Sequence, residues 1–423
     1  MNKKALAGLF IASSLALAGF VQAQDVTELR LTWYNDGNEG EVLRSLLDTF
    51  EANNPDIRVV VDTLPYADLH TTLQAQVEAG DAPDLARIND VARFAGNYLP
   101  LNDIVADADY YTTNFPEAVL ASLRTADDTT GIYGFPLQFS VTVPFINRTL
   151  WDQAGIEPLG PDATWPEWVA ASEEVAAATG TPYAFAIDRT GHRFWGFSLV
   201  QGADYINEEG GFTIDTPGFR AAAQELIDYN AAGLIPADVW AGSGGGYVAA
   251  TEYFINGQVP LYYAGTWQIG NFTNNISAFD WELIPNPAGE AQSTGIPGGS
   301  LLVSFASTEH PAEVARLVDY LSSTEVVREF SERTLFLPGH LGLIEEGIDY
   351  PSSAEALSVA LTEIPKISEE AYALQYSPFT FVLNPEIRDR LSQVIVGEIS
   401  LDEAIVLIQE RIDQAVAEAA AAA

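Results

Sequence analysis

Apolar segments alternate with amphipathic segments along the first third of the chain. Residues 28–33, 57–64 and 85–89 are rich in aliphatic and β-branched side chains, and they are predicted to be strands. Residues 42–53 and 67–79, which lie between them, are predicted to be helices. Strands that alternate with helices in this way predict parallel pairing through crossover helices, and therefore an α/β fold.

The N-terminus has the parts of a secretory signal peptide. Lys3 and Lys4 precede an apolar stretch at 5–21, and Val21-Gln22-Ala23 offers small residues at the positions that signal peptidase reads. The stretch is short for a membrane anchor, the alternative interpretation. Leu17-Ala18-Gly19-Phe20 has the shape of a lipoprotein box, but Phe20 replaces the Cys that lipidation requires. We therefore expect cleavage after Ala23, no lipid anchor and a periplasmic location.

The length of the mature chain indicates two lobes. Removal of 23 residues from 423 leaves 400, which is too many for one ordinary core. A turn at 131–136 precedes a strand at 140–147, the expected first crossing between the lobes. No Pro-, Gly- or Ser-rich linker is visible, so several strands are expected to join them.

The rest of the chain is predicted to be mainly helical. Helices are expected at 149–154, 165–179, 217–232, 248–256, 311–322, 324–333, 353–362, 384–397 and 400–417. Ser400 and Glu403 predict a capping box at the start of the last helix. The final alanine run is expected to be a frayed tail.

Acidic residues far outnumber basic ones. The chain has 59 acidic and 19 basic residues, a formal net charge of −40, and loss of Lys3 and Lys4 with the leader makes the charge −42. Such a field repels nucleic acid and anionic lipid surfaces, and it disfavours phosphorylated or carboxylate ligands. We interpret the charge as an adaptation for solubility. The chain contains no Cys, which excludes disulfides, thiol catalysis and Cys-based metal sites.

Signatures of catalytic, metal and cofactor sites are missing from the sequence. Lys366, the one Lys of the mature chain, follows no Gly-rich loop, which excludes a Walker-type phosphate site. The four His residues are not spaced as zinc ligands, and the glycine-rich run 242–246 is interpreted as a loop. Carboxylate pairs carry no information, because 59 acids make chance pairs inevitable. We therefore expect no catalytic residue, no metal and no cofactor.

The first predicted strand ends in aromatic and amide side chains, Trp33, Tyr34 and Asn35. Open α/β sheets present ligands to a cleft at the carboxyl ends of their strands. Together with the export signal, this pattern indicates that the protein captures a solute outside the cytoplasm.

Short motifs follow one another through nearly the whole mature chain. They are formed by Phe50, Pro55, Ile57 and Val59; Gly80, Pro83, Asp84 and Leu85; Tyr133, Gly134 and Pro136 with Phe145, Ile146 and Asn147; Thr164, Trp165 and Glu167; Phe254 and Gly257; Gly265, Thr266 and Trp267; Pro285 and Pro287; Gly298 and Gly299; Ala315, Tyr320, Leu321 and Ser322; and Gly397, Glu398, Ser400, Glu403 and Ala404. Many are architectural, since Thr164 and Glu167 are typical of a helix start. The ordered series resembles the carbohydrate-binding family of extracellular solute-binding proteins of ABC importers, the family related to maltose-binding protein.

The resemblance implies a two-lobed periplasmic-binding-protein fold. Each lobe is expected to be an open, mostly parallel sheet flanked by helices, and several strands form the hinge. Residues 24–139 and about 300–338 are expected in the first lobe, and 140–299 and about 339–423 in the second. The resemblance further implies a monomer that closes on a carbohydrate by hinge bending and then docks on membrane permease subunits.

Sugars offer C–H groups on their faces, which suit aromatic rings, and hydroxyls on their rims, which suit planar polar groups. The resemblance implies ligand contacts at Trp33, Tyr34, Asn35, Asn89, Asp90, Arg93, Gln138, Ser140, Arg189, His192, Trp195, Trp267, Gly298, Gly299, Ser300, Tyr376 and Phe379. Some have alternatives: Trp33 as core, Asn89 or Asp90 as a helix cap, and Arg93 as the partner of a surface acid. Trp240, beside the glycine-rich run, is a further candidate.

The chain departs from the maltose-type pattern at two points. Ser140 stands where the maltose binder has an acid, and residues 35–41 contain no Lys. The resemblance therefore supports a carbohydrate without specifying maltose. Two alternatives stay open: the same fold binding a polyamine or another non-sugar solute, and a secreted glycan-active enzyme with two carboxylates across the cleft.

Overall fold

The structure is a computed structural model that describes residues 26–422 except 126, 208–210, 243–245 and 290–291. The expected signal peptide and its cleavage site lie outside the described residues. No described helix is both long enough and apolar enough to cross a membrane.

The described strands and helices agree with the predicted ones in the first third of the chain and at most of the predicted later helices, whereas the five described strands after residue 180 and several helices were not predicted. The strands are β1 (Thr27–Trp33), β2 (Ile57–Thr63), β3 (Leu85–Ile88), β4 (Gly134–Val141), β5 (Pro144–Asn147), β6 (Phe185–Ile187), β7 (Leu261–Tyr263), β8 (Trp281–Leu283), β9 (Pro297–Ser304) and β10 (Leu337–Pro338). The helices of the first half are α1 (Glu39–Asn53), α2 (Tyr66–Ala79), α3 (Ala108–Asn114), α4 (Glu117–Ala121), α5 (Arg148–Ala154), α6 (Trp165–Thr179) and α7 (Gly191–Val200). Those of the second half are α8 (Pro217–Ala231), α9 (Ala237–Trp240), α10 (Thr251–Ile255), α11 (Gln268–Asn275), α12 (Pro311–Ser322), α13 (Thr324–Thr334), α14 (Leu341–Glu346), α15 (Ala354–Glu363), α16 (Glu369–Gln375), α17 (Thr380–Ile395) and α18 (Leu401–Ala422).

Two open sheets form the centres of the two lobes. The first sheet has the strand order β10-β4-β9-β3-β1-β2, and the second has the order β6-β7-β5-β8. Separate hydrophobic clusters pack around them. Leu29, Leu31 and Trp33 belong to a cluster of the first lobe, and Trp151 and Trp165 belong to that of the second.

The expectation of mostly parallel sheets was wrong. Among the described strands, β1–β2, β1–β3 and β6–β7 are parallel pairs, whereas the other five pairs are antiparallel. The physical reason is that β4 and β9, which carry the chain out of the first sheet and back into it, run in opposite directions and pair with each other. Antiparallel partners of this kind need no crossover helix.

The predicted strand at 140–147 consists of the end of β4 and the whole of β5. The chain leaves the first sheet after Val141 and joins the second at Pro144, and Thr142 fixes the crossing between them. The Thr142 hydroxyl accepts from Ile296 N–H at 2.8 Å, and its carbonyl accepts from Asn286 Nδ2 at 3.0 Å. The expected lobe boundaries at 139/140 and 299/300 fall inside β4 and β9, and they stay predictions.

Helix ends follow local chemistry at several points. Thr164 and Glu167 form the expected capping box of α6, where the Glu167 carboxylate accepts from Thr164 N–H at 2.8 Å. Ser400 Oγ accepts from Glu403 N–H at 3.2 Å. The terminal alanines, expected to be a frayed tail, are helical as far as Ala422, because alanine has the highest helix propensity. Helix α7 escaped prediction, since it is buried along almost its whole length and shows no amphipathic period.

Candidate functional site

A cavity of about 540 Å³ lies in the cleft between the lobes. Its lining comes from loops that follow β1 and β3, from α2, from β4 and β9, and from the starts of α7, α11 and α17. The carboxyl ends of β1 and β3 thus open into it, as expected for an open α/β sheet.

The structure brings eleven of the expected contact residues together in this cleft. They are Tyr34, Asn35, Asn89, Asp90, Arg93, Gln138, Ser140, His192, Trp267, Gly298 and Gly299. Their contact with a ligand stays a prediction, and their convergence on one cavity is a finding.

The other six expected residues do not line the cavity. Trp33 is fully buried in the first lobe, and its Nε1–H donates to Asn35 Oδ1 at 3.0 Å. Trp195 is fully buried in the second lobe, and Phe379 packs there against Phe212. Trp33 thereby supports Asn35, and the Trp195 ring lies beside His192, and both of these neighbours reach the cleft.

Arg189, Ser300 and Tyr376 have structural partners instead. Arg189 donates to the carbonyls of Gly242 and Gly246 at 3.1 and 3.2 Å. Ser300 is buried in β9, and the Tyr376 ring packs against a first-lobe cluster. Trp240, the further candidate, is buried, and its Nε1–H donates to the Ile187 carbonyl at 3.0 Å.

Several cleft residues were not foreseen from the sequence. The most prominent are Asp36, Tyr66, Arg193, Tyr247 and Phe381. Tyr66 could have been found, because it follows β2 as Tyr34 follows β1. The others lie on loops and helices whose approach to the cleft depends on tertiary packing.

Arg87 anchors the loop after β1 from inside the first lobe. It is fully buried, and it donates to the Tyr34 carbonyl at 2.5 Å, to Glu39 at 2.8 Å and to Asp36 at 2.9 Å. Its Nε–H donates to Ser300 Oγ at 2.9 Å, and its guanidinium lies 4.0 Å from the centre of the Tyr34 ring. The loop that presents Tyr34 and Asn35 is therefore held by one buried cation.

The carboxylates of the cleft are paired with arginines. Among the described lining residues the carboxylates are Asp36 and Asp90, which pair with Arg87 at 2.9 Å and Arg93 at 3.0 Å. Burial raises the pKa of Asp36 to about 6, and the Arg87 charge limits that rise. The cleft is thus close to neutral in charge although the whole chain is strongly acidic.

Trp267 and Arg193 form a platform on the second-lobe side. The Arg193 guanidinium lies 4.3 Å from the centre of the Trp267 ring, within the range of a cation–π contact. Gly265 makes room for the ring, since a Cβ at that position would lie 1.9 Å from a Trp267 ring carbon. The platform therefore depends on both the glycine and the arginine.

Buried polar atoms in the lining lack hydrogen-bond partners within the described part of the chain. They include Asp90 Oδ1, Gln138 Oε1 and Arg193 Nε. Gln138 and Arg193 are 3% and 6% exposed, so bulk water does not compensate them fully. Because buried polar groups normally have partners, these atoms are suited to the hydroxyls of a bound ligand.

His192 is a neutral part of the lining. Burial and the adjacent Arg193 charge lower the pKa of His192 to about 3. Arg193 Nη1 donates to His192 Nδ1 at 2.7 Å, so the proton of the neutral ring resides on Nε2 and points to the Pro297 carbonyl at 3.4 Å. His192 therefore joins the second lobe to hinge strand β9.

This lowered pKa predicts a pH effect on stability. Between about pH 6.5 and 3 the unfolded chain binds a proton at residue 192 that the native state does not, so the native state loses stability as the pH falls. A His192→Gln variant should lose about 3 kcal/mol less than wild type between pH 7 and pH 4, measured by urea unfolding. The native-state titration of Asp36 is common to both proteins. If wild type and His192→Gln lose the same free energy of unfolding between pH 7 and pH 4, His192 is not held neutral in the native state.

No group of three or more His, Asp or Glu side chains suited to a metal ion occurs within the described ranges.

A model of the bacterial extracellular solute-binding protein family matches residues 34–328. An arabinooligosaccharide-binding protein of Halalkalibacterium halodurans is 27% identical over 333 residues, which cover 73% of this chain and 70% of that protein. An sn-glycerol-3-phosphate-binding periplasmic protein of Agrobacterium fabrum is 21% identical over 357 residues, 79% of this chain and 80% of that protein.

Solved structures share the fold. Maltose-bound MalE3 of T. maritima superposes with a TM-score of 0.76 at 18% identity, covering 91% of this chain and 99% of that one. The substrate-binding protein Lmo0181 of Listeria monocytogenes, in complex with cycloalternan, superposes with a TM-score of 0.73 at 21% identity, covering 93% and 100%. These likenesses confirm the two-lobed α/β fold.

Proposed function

We propose that this chain, which belongs to the bacterial extracellular solute-binding proteins, captures a carbohydrate in the cleft between its lobes and delivers it to an ABC-type importer. Membership of that family confirms the resemblance found in the sequence motifs. It is a family of binding proteins that act outside the cytoplasm. The proposal therefore concerns the class of solute and the manner of its capture.

One observation supports a neutral, hydroxyl-rich ligand: the cleft combines aromatic rings with buried polar atoms that have no hydrogen-bond partner in the part of the chain that the structure describes. Tyr34, Tyr66 and Trp267 offer rings, and Gln138 and Arg193 offer an acceptor and a donor. A sugar has apolar faces for such rings and hydroxyls that both donate and accept. The 27% identical relative that binds arabinooligosaccharide supports the same class of ligand.

A cationic ligand fits the cleft less well. Both described lining carboxylates, Asp36 and Asp90, are already paired with arginines. A polyamine would have to displace Arg87, which is fully buried, or Arg93, which also lies 5.5 Å from the Phe381 ring. The strong negative charge of the chain is therefore not concentrated in the cleft.

The enzyme alternative has one feature in its favour. The raised pKa of Asp36, about 6, is what a general acid requires. A glycosidase also needs a second free carboxylate, whereas Asp90 is paired with Arg93 at 3.0 Å. We therefore propose that the chain has no catalytic role, and that the bound sugar is released intact.

The proposal extends to location and partners. Family membership places the chain outside the cytoplasm, and the sequence of the first 23 residues predicts export with cleavage after Ala23. The mature protein is proposed to act as a periplasmic monomer. Its closed form is proposed to dock on the membrane subunits of the importer.

Thermal melting of the mature chain, starting at Gln24, tests the class of ligand. Arabinose, arabinotriose, glucose and maltotriose form the panel, and spermidine and sn-glycerol 3-phosphate are the controls. A sugar at 100 times its Kd should stabilise the protein by about 2.7 kcal/mol, a shift of several degrees. Chromatography after overnight incubation should recover the sugar unchanged. A shift with spermidine alone, or hydrolysis of the sugar, would contradict the proposal.

A further inference from the structure

We propose that Asp188 is a positioning residue that links the ligand side of the cleft to a contact that holds the two lobes together. The inference rests on the proposed function, because it concerns how the same cleft closes on its ligand. Asp188 itself does not line the cavity. It lies directly after β6, fully buried in the second lobe.

Four donors converge on the Asp188 carboxylate. Oδ1 accepts from the Tyr262 hydroxyl at 2.7 Å and from Ala250 N–H at 2.8 Å. Oδ2 accepts from the Tyr247 hydroxyl at 3.1 Å and from Arg193 Nη2 at 3.3 Å. The two oxygens thus have different surroundings. Buried groups of the second lobe donate to Oδ1, whereas two side chains that line the cleft donate to Oδ2.

Arg193 connects Oδ2 to the ligand side. Its guanidinium stacks on Trp267 at 4.3 Å, and its buried Nε has no hydrogen-bond partner among the described residues. A sugar hydroxyl that accepts from Nε would fix the guanidinium, and with it the Nη2 contact to Asp188.

Tyr247 connects the same oxygen to the other lobe. Its ring meets the Tyr66 ring edge-to-face, with centroids 5.5 Å apart and planes at 84°. Tyr66 begins α2 of the first lobe, and its hydroxyl accepts from Asn89 Nδ2 at 2.7 Å. The Tyr66–Tyr247 contact therefore crosses the cleft and exists only when the lobes are close.

These contacts form a continuous path from the ligand side to the interlobe contact. Because Arg193 and Tyr247 donate to one oxygen, displacement of either changes the geometry available to the other. A buried hydrogen bond to a charged group is stronger than an average one. We therefore expect the Tyr247 hydroxyl to contribute to the population of the closed form, and we expect the Tyr262 hydroxyl to contribute to the stability of the second lobe alone.

A matched pair of variants separates these roles. Tyr247→Phe keeps the ring against Tyr66 and removes one donor to Oδ2. Tyr262→Phe removes one donor to Oδ1 and the contact of its hydroxyl with Thr251 Oγ1 at 3.1 Å, on the second-lobe side of the cleft, and it leaves both donors to Oδ2 in place. Asp188→Asn, which changes the shared acceptor itself, is a third variant. If Asp188→Asn does not fold, the two Tyr variants still test the proposal.

The interlobe distance can be measured without a ligand. The chain contains no Cys, so spin labels at Glu78→Cys in α2 and Glu252→Cys in α10 would be the only ones present. Both positions are exposed and lie on opposite lobes. In double electron–electron resonance, Tyr247→Phe should shift the distance distribution towards long, open distances, whereas Tyr262→Phe should leave it as in the otherwise wild-type protein.

Binding provides the second measurement, with arabinotriose and maltotriose as probes. Tyr247→Phe should weaken binding about tenfold, mainly through faster dissociation, whereas Tyr262→Phe should lower the Tm and change Kd less than twofold. An unchanged distance distribution in Tyr247→Phe, or equal shifts in both variants, would overturn the role of Asp188. Failure of both sugars to bind would count against the carbohydrate proposal alone, because the distance measurement requires no sugar.

Discussion

Replacing Arg87 with methionine will lower the free energy of unfolding of the first lobe by about 3–5 kcal/mol. The substitution leaves Glu39, which is fully buried, and Asp36 without their cation. It also removes the donor that holds the Tyr34 carbonyl at 2.5 Å, so the loop after β1 loses its anchor. Urea unfolding followed by tryptophan fluorescence is the appropriate measurement, because Trp33 lies beside the cluster, 5.0 Å from the Arg87 guanidinium.

Arg333→Met is the matched control. Arg333 is 39% exposed in its side chain and pairs with Glu329 at 2.7 Å on the surface of α13. Exposed ion pairs contribute about 0–1 kcal/mol, so this variant should unfold nearly as wild type does. Equal losses in the two variants would show that the buried arginine has no special role.

Replacing Trp267 with alanine will weaken sugar binding by about 2–4 kcal/mol, roughly 30-fold to 1,000-fold in Kd. The substitution removes an aromatic wall of the cleft and also frees the Arg193 guanidinium, which stacks on the ring at 4.3 Å. Isothermal titration with the sugar that gives the largest thermal shift measures the effect.

Trp281→Ala controls for the loss of an indole from the second lobe. Trp281 packs against Phe145 and Phe272 and does not line the cleft. It should lower the Tm and leave Kd within about twofold of wild type. If Trp267→Ala binds as tightly as Trp281→Ala, the ligand does not occupy the described cleft.

The sequence predicted the elements of the first third of the chain well because their periodicity is local. Residues 57–64 and 67–79 were expected as a strand and a helix, and the structure has Ile57–Thr63 and Tyr66–Ala79. The same periodicity also predicts that Trp33 is buried. It shares its face of β1 with Leu29 and Leu31, which are fully buried, so alternation along the strand directs it to the core and Tyr34 to the other side.

The candidate site was only partly predictable. Tyr34, Asn89 and Asp90 follow strands of the first sheet, and their approach to the cleft follows from topology. The residues that the second lobe contributes to the cleft could not be predicted from strand topology. Tyr247 reaches the cleft because a buried carboxylate, Asp188, binds its hydroxyl from 59 residues away. No local pattern encodes such a contact. Trp195, which the family resemblance implied as a ligand contact, belongs instead to the core of the second lobe.

A crystal structure of the mature protein with the sugar that gives the largest thermal shift tests the central claim most directly. We predict that the sugar lies between the lobes, with ring atoms within about 4 Å of Trp267 and hydroxyls within hydrogen-bond distance of Arg193 Nε and Gln138 Oε1. A sugar bound on an outer face, with no contact to these residues, would contradict the account.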